Sequence, residues 1–248
     1  MTLRVYKIGG PALEDPDLIA PLAAEVRAQE RVLLVHGGGR HIARLLKALG
    51  IASRFVGGRR ETSPEAMEVV EQVLSGGTNK TLAAGLTTAG VPAVGLSGRD
   101  GGLIRARLAP ELGRVGTPDQ IDLRVLHALW DAGLVPVVSP VSSGPDGEAV
   151  NVNADEAALA LARALAATSL VYLSDVDGVR AETGTLTTLS AQDARRLTES
   201  GVITGGMAMK VEAALDAAAA GIVEVVVAGK ARLTGGFAGT RVTGEVLR

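Results

Sequence analysis

Cysteine is absent from the 248 residues, which excludes disulfides, thiol nucleophiles and thiolate metal sites and fits a reducing compartment. Aromatic residues make up only 2% of the chain, leaving almost no platform on which the bases of single-stranded nucleic acid could stack. A net charge of −2 gives no electrostatic reason to bind nucleic acid or an anionic membrane. No apolar run approaches the ~20 residues of a membrane-spanning helix. There is no G-x-G-x-x-G, which counts against a dinucleotide-binding oxidoreductase, and the Gly229-Lys230 pair lacks both the upstream glycine and the following hydroxyl residue of a Walker phosphate loop. His36, His41 and His127 show no metal-ligand spacing, and no serine stands in a nucleophile elbow, so zinc and hydrolytic chemistry are disfavoured. Lysine is scarce as well. Of the 25 basic residues only Lys7, Lys47, Lys80, Lys210 and Lys230 are lysines, so each one merits inspection.

What is present is organised around one stretch. Val32-Leu33-Leu34-Val35-His36 runs into Gly37-Gly38-Gly39, after which Ile42, Leu45, Leu46 and Leu49 recur with the spacing of one helix face. Strand, glycine turn and helix bring backbone N–H groups and the positive end of a helix dipole to one place, which suits an anion; a tight turn needing positive φ is the plainer alternative. Leu3-Arg4-Val5-Tyr6-Lys7-Ile8-Gly9-Gly10 repeats the device, with a lysine near the strand end where parallel sheets place ligands. A lysine on a buried strand needs a partner, so Lys7 belongs at a site.

The remaining pattern alternates helix and strand. Helices are expected over Asp17–Gln29, from the Ser63-Pro64-Glu65 start to about Leu74, from Asn79 to Ala89 beyond the glycines at 76 and 77, from Thr117-Pro118-Asp119, after Asn153, after Ser190, and over Gly206–Ala220. Buried strands are expected at Ala93–Leu96, Leu134–Val138, Leu170–Leu173 and Val223–Val227. Leu103–Leu108 alternates apolar and basic residues as a half-exposed strand does, and with Gly113–Gly116 as its return it reads as a flap. Continuous apolar strands separated by helices predict an α/β fold, a mostly parallel sheet with helices on both faces. No linker or internal repeat divides the chain.

Lys210 falls in the first turn expected of its helix, where a cation opposes the helix dipole, unless it is simply solvated. Asp155 is favourable in a first turn whatever else it does, and Asn153 is most simply an N-cap. Asn151, alternating with Val150 and Val152, points where Asn153 points. Two glycine turns at strand ends, two lysines and an acid able to sit between them suit phosphoryl transfer, which needs charge neutralisation and alignment more than covalent chemistry. A carboxylate acceptor, already ionised, would need no general base.

Taken in order, Lys7-Ile8-Gly9-Gly10, His36-Gly37-Gly38-Gly39, Gly58-Arg59-Arg60-Glu61-Thr62, Asn79-Lys80, Gly95-Leu96-Ser97-Gly98-Arg99-Asp100-Gly101, Asn151-Val152-Asn153-Ala154-Asp155, Ser174-Asp175-Val176-Asp177-Gly178 and Gly206-Met207-Ala208-Met209-Lys210 resemble the amino acid kinase family, and within it the N-acetylglutamate kinases. The resemblance spans nearly the whole chain. It implies a three-layer α/β/α sandwich, a single domain over 1–248 with an acceptor lobe at about 1–168 and a nucleotide lobe at about 169–248. It further implies ATP-dependent phosphorylation of the side-chain carboxylate of N-acetyl-L-glutamate, the second step of arginine biosynthesis, in the cytoplasm.

By position, Lys7 and Lys210 would neutralise the transferring phosphoryl group and Asp155 would orient both lysines, a role that replaces the plain first-turn reading of that acid. Gly9, Gly10, Gly37 and Gly38 would offer N–H groups to the γ-phosphate and the acceptor carboxylate. Arg60 and Asn151 would hold the substrate's α-carboxylate. Asp175, Val176, Asp177, Gly178, Val179 and Arg180, with Val202, Ile203 and Thr204, would line the nucleotide pocket. Mg²⁺ would be held mainly by the phosphates of ATP, with no protein ligand.

Arg59 and Glu61 depart from the pattern by adding charge where a small apolar residue is expected. An arginine-rich mouth would suit the family's alternative acceptor, aminoadipate or glutamate linked to a small acidic carrier protein. A non-catalytic nucleotide-binding sensor is the reading from another class, and retention of both lysines and Asp155 argues against it. Hexameric members inhibited by arginine resemble one another in carrying an additional helix before the first strand. With Met1 and Thr2 ahead of that strand here, a homodimer insensitive to arginine is expected.

Overall fold

A computed structural model describes residues 2–181, 184–234 and 238–244. The chain opens with β1 (Leu3–Ile8), α1 (Gly10–Leu13), α2 (Ile19–Arg27), β2 (Arg31–His36) and α3 (Gly39–Ala48), then makes a small hairpin of β3 (Phe55–Val56) and β4 (Arg59–Arg60). Next, α4 (Pro64–Glu71) passes through a π-helical stretch, Gln72–Thr78, into α5 (Asn79–Thr88), followed by β5 (Ala93–Ser97). The middle of the chain holds β6 (Ile104–Leu108), β7 (Val115–Ile121), α6 (Arg124–Asp131), β8 (Val135–Ser139), β9 (Val141–Ser143), β10 (Ala149–Val152) and α7 (Ala154–Ala164). The last third holds β11 (Ser169–Leu173), β12 (Arg180–Ala181), β13 (Gly184–Thr185), β14 (Thr188–Ser190), α8 (Ala191–Glu199), α9 (Gly205–Ala219), β15 (Glu224–Ala228) and β16 (Thr240–Thr243).

Eight strands form one sheet in the order β14-β16-β15-β11-β1-β2-β8-β5. Every ladder from β15 to β5 is parallel, whereas β16 runs antiparallel to β15 and β14 pairs parallel with β16. The apolar strands are buried on both faces, so successive side chains feed two different cores. Val5 packs with Ala157, Leu161 and Val211 of α7 and α9, whereas Tyr6 and Ile8 pack with Leu22 of α2 and Leu86 of α5. Lys7 follows Val5 by two and therefore faces α7 and α9. Helices cover both faces, and the α/β/α sandwich expected from the sequence is the architecture observed.

The neighbours of β1 are β2 on one side and β11 on the other, so the strand order reverses direction there. The crevice beyond the carboxyl ends of β1, β2 and β11 is where such a sheet receives a ligand.

Three local expectations are corrected. Thr117, Pro118 and Asp119 start no helix but lie inside β7, in a small closed barrel of β10, β7, β6 and β9. Pro118 is accommodated because the β6–β7 ladder shifts register beside its partner Ala106, where a missing N–H breaks no regular pair. The segment read as a free flap is thus a pair of barrel strands. Second, Gly76 and Gly77 do not separate two helices; the π-helical stretch carries the rod through them. Third, α9 begins at Gly205, which puts Lys210 in the second turn rather than the first, so its placement has to be explained by neighbours and not by the dipole. The expectation about residues ahead of the first strand rests on Met1, outside the described residues.

Candidate active site

Three elements converge on one charge cluster. From β1, the buried Lys7 extends its ammonium to Oδ1 of Asp155 at 2.8 Å. Asp155 is the second residue of α7, whose N-cap Asn153 accepts the Asp155 backbone N–H at 2.8 Å. The cap and the helix dipole together fix a negative charge at that spot. From α9, the half-buried Lys210 has its pKa held below the usual 10.5, first by burial and then by the charge of Lys7, while Asp155 and Asp175 pull the other way. Two lysines and two carboxylates therefore share one field. Two of the other lysines are engaged elsewhere: Lys80 donates to the Gly95 carbonyl at 2.5 Å, and Lys230 pairs with Asp15 at 2.6 Å; Lys47 is exposed on α3.

The two glycine turns divide their N–H groups. Gly9 donates to the Leu173 carbonyl and Gly37 to the Ile8 carbonyl, both at 2.9 Å, so these two N–H groups, expected to face a ligand, are instead spent extending the sheet. Those of Gly10 and Gly38 find no acceptor among the described residues. The turns are stacked closely, a Cβ on Gly10 falling 3.5 Å from the Gly39 nitrogen.

Beside them is a cavity of about 190 Å³ lined by Lys7, Gly10, Gly37, Gly38, Gly39, Leu74, Arg60, Asn151 and Asp155. Arg60 reaches it from β4. Its guanidinium donates to the Ser53 hydroxyl and, at 3.0 Å, to the Gly39 carbonyl, and lies 4.5 Å from the centre of the Phe55 ring. Burial depresses its pKa, and no carboxylate pairs with it among the described residues. Asn151 donates to the Thr62 hydroxyl at 3.0 Å, and that hydroxyl donates on to the Arg60 carbonyl at 2.7 Å. Asn151 and Asn153 line the same cavity, as their alternation predicts. The two departures at the mouth are neutralised within the protein. Arg59 pairs with Glu156 at 2.8 Å, and Arg54 pairs with Glu61.

On the far side of β1, the segment after β11 brings Asp175, Asp177 and Arg180 to the surface, and Val202 and Thr204 are exposed where α9 begins. Val176 is half-buried and Gly178 buried. Val179 and Ile203 are core residues packed under α8 and α9, so their side chains are not available to a nucleotide. Thr204 is the N-cap of α9, and its hydroxyl makes no capping bond.

The sequence reading missed the buried pair behind the glycines, His36 with Asn79, and the contact of Leu74 with Gly38, where a Cβ would meet Leu74 Cδ2 at 2.6 Å. Both contacts depend on the phase of the π-helical stretch, which periodicity does not show.

Among known proteins, the amino acid kinase family model matches residues 2–229. The acetylglutamate kinase of Rubrobacter xylanophilus is 44% identical, the match covering 99% of this chain and 96% of that protein. The acetylglutamate kinase of Geobacillus kaustophilus is 42% identical, covering 98% and 96%. A crystal structure from Streptococcus mutans superposes with a TM-score of 0.87 at 28% identity, covering 97% of this chain and 98% of the other. With a sheet that switches direction at β1, two lysines and an aspartate at that switch, and a family match over nearly its whole length, the chain belongs to the amino acid kinase family.

Proposed function

We propose that the protein transfers the γ-phosphoryl group of ATP to the side-chain carboxylate of N-acetyl-L-glutamate, giving the acyl phosphate and ADP, the second step of arginine biosynthesis. The observation that carries this reading is Arg60, a buried guanidinium with no counter-ion among the described residues, in a cavity that opens on Lys7. A carboxylate entering that cavity completes a bidentate pair, and a second carboxylate on the same small molecule then lies toward the lysines. Lys7 and Lys210 neutralise charge on the transferring group, Asp155 keeps the two cations in place, and the N–H groups of Gly10 and Gly38 supply further donors. The exposed residues after β11 and at the start of α9 take the nucleotide. Mg²⁺ is taken to arrive on the phosphates of ATP.

The pairing of Arg59 and Glu61 within the chain favours a free small acceptor over a carrier-bound one, because the additional charges at the mouth are already balanced. The test is acyl-phosphate formation, trapped with hydroxylamine, from N-acetyl-L-glutamate, free aminoadipate and carrier-linked substrate. Turnover confined to the carrier-linked substrate would reject this acceptor. No described helix is long and apolar enough to cross a membrane. A cytoplasmic homodimer is the assembly proposed, C2 dimers being the commonest closed arrangement, and mass measurement in solution tests it.

A further inference from the structure

Behind the second glycine turn lies a fully buried histidine that the reaction above does not use. His36 Nδ1 is 2.8 Å from the Gly37 carbonyl oxygen, and its Nε2 is 3.0 Å from Asn79 Nδ2. A carbonyl can only accept, so Nδ1 carries the proton and Nε2 accepts from the amide. The same amide nitrogen lies 2.9 Å from the Val137 carbonyl, in the middle of β8, and 3.3 Å from that of Leu96, near the end of β5. The ring is thereby braced against two strands. Asn79 Oδ1 stays buried without a hydrogen bond, a defect that costs stability and that an apolar residue at this position would avoid.

The gripped carbonyl belongs to the Gly37–Gly38 peptide. A planar trans peptide directs its C=O and N–H to opposite sides, so holding the Gly37 oxygen toward His36 turns the Gly38 N–H away, to the side on which Gly38 lines the acceptor cavity. Gly37 is held at its other end by its own N–H on Ile8. Gly38 is held at its far end by its carbonyl, which accepts from the Ile42 N–H at 3.1 Å, and between these two anchors neither glycine carries a Cβ to resist rotation of the peptide. We propose that His36, locked by Asn79, is a positioning residue that keeps the Gly38 N–H aimed at the reacting phosphoryl group. The proposal rests on the phosphoryl-transfer reading, with a wild-type test that does not depend on turnover.

The two amide replacements separate this role from packing. In His36→Asn the side-chain nitrogen falls near the place of Nδ1 and can hold the Gly37 carbonyl, whereas in His36→Gln it falls near Nε2 and cannot. His36→Gln is expected to lower kcat by about 10²-fold, the order of one oriented donor, with KM for ATP and acceptor within a few-fold of wild type. His36→Asn is expected to recover most of that loss. Equal kcat for the two variants, or losses that simply track their melting temperatures, would overturn the proposal. Nitrogen-15 spectra of the wild-type protein give the second arm: His36 is expected as the Nδ1–H tautomer, and the Gly38 amide resonance is expected to move on adding AMP-PNP. A wild-type Nε2–H tautomer, or a Gly38 amide indifferent to AMP-PNP, would sink the proposal even if both variants failed to fold. Absence of wild-type turnover with a retained Nδ1–H tautomer and a shifted Gly38 resonance would instead count against the acceptor assigned above while leaving the positioning geometry in place.

Discussion

At the scale of residues, the site is a balance of unlike costs. Lys210 is half-buried beside Lys7, and both burial and that like charge work against its protonated form. Lys210→Met is therefore expected to cut turnover by roughly 10²–10³-fold and to raise the melting temperature of the ligand-free protein; a lower melting temperature would mean that Asp155 and Asp175 outweigh the repulsion. Asp155→Asn has the opposite sign, leaving Lys7 buried without its carboxylate at a cost of about 3 kcal/mol. Arg60→Lys keeps a charge but loses the planar fork, so KM for the acceptor is expected to rise at least tenfold with KM for ATP unchanged. Equal weakening of both would place Arg60 outside the acceptor subsite. Burial lowers the pKa of His36 to about 4, from 6.5. The unfolded chain then binds the proton more readily, so this residue's contribution is complete above pH 6.5 and is lost as pH falls toward 4, by up to about 3 kcal/mol. Denaturant midpoints measured over that interval should fall more steeply in wild type than in His36→Asn.

At the scale of elements, what could be read from the sequence depended on whether periodicity or context decided the outcome. The strands around Val5, Leu34 and Val171 are buried on both faces and announce themselves as apolar runs, and Ser63, Asn153 and Ser190 cap the helices they were expected to cap. Thr117-Pro118-Asp119 carries helix-start chemistry but follows a strand that needs a barrel partner, and the ladder prevailed. The π-helical stretch hides in a row of ordinary helix formers broken by two glycines, although it decides where Leu74 and Asn79 point. In the site, Lys7 was legible as a residue in need of a partner because it is a charge on a buried strand, whereas Asp155 read as an ordinary first-turn acid until the family resemblance gave it a role, and the spending of the Gly9 and Gly37 N–H groups depends on strand register and was not legible. Gly113 shows how an element remote in sequence supports the site. It has φ +75°, and a Cβ there would lie 2.4 Å from the Thr62 carbonyl oxygen, next to the Arg114 N–H that donates to that same oxygen at 2.7 Å. Gly113→Ala should cost about 1–3 kcal/mol and, by displacing Thr62 beneath Arg60 and Asn151, raise KM for the acceptor more than for ATP. A change confined to stability would cut the link between this loop and the cavity.

For the whole molecule, the decisive feature is that the two lobes expected on either side of residue 168 share one sheet. The β1–β11 ladder pairs Arg4 to Ile8 with Ser169 to Leu173 across that boundary, and one apolar cluster joins Val5, Leu33 and Val138 on its N-terminal side to Leu170, Val225 and Val227 on its C-terminal side. Lys7 and Lys210 come from opposite sides of the same boundary. Neither half can lose its core without exposing the other's, so the lobes are not independent folding units. Calorimetry should then show a single cooperative transition in which the measured and van't Hoff enthalpies agree, at protein concentrations where the assembly state does not change. ATP with Mg²⁺ should move that transition upward as one, by the amount set by RT ln(1 + [L]/Kd), and N-acetyl-L-glutamate should do the same although the proposed function assigns it to the other lobe. If instead ATP raised only a late transition and the acceptor only an early one, the shared sheet would be too weak to couple the halves, and the site between them would have to be assembled by ligand rather than presented ready-made.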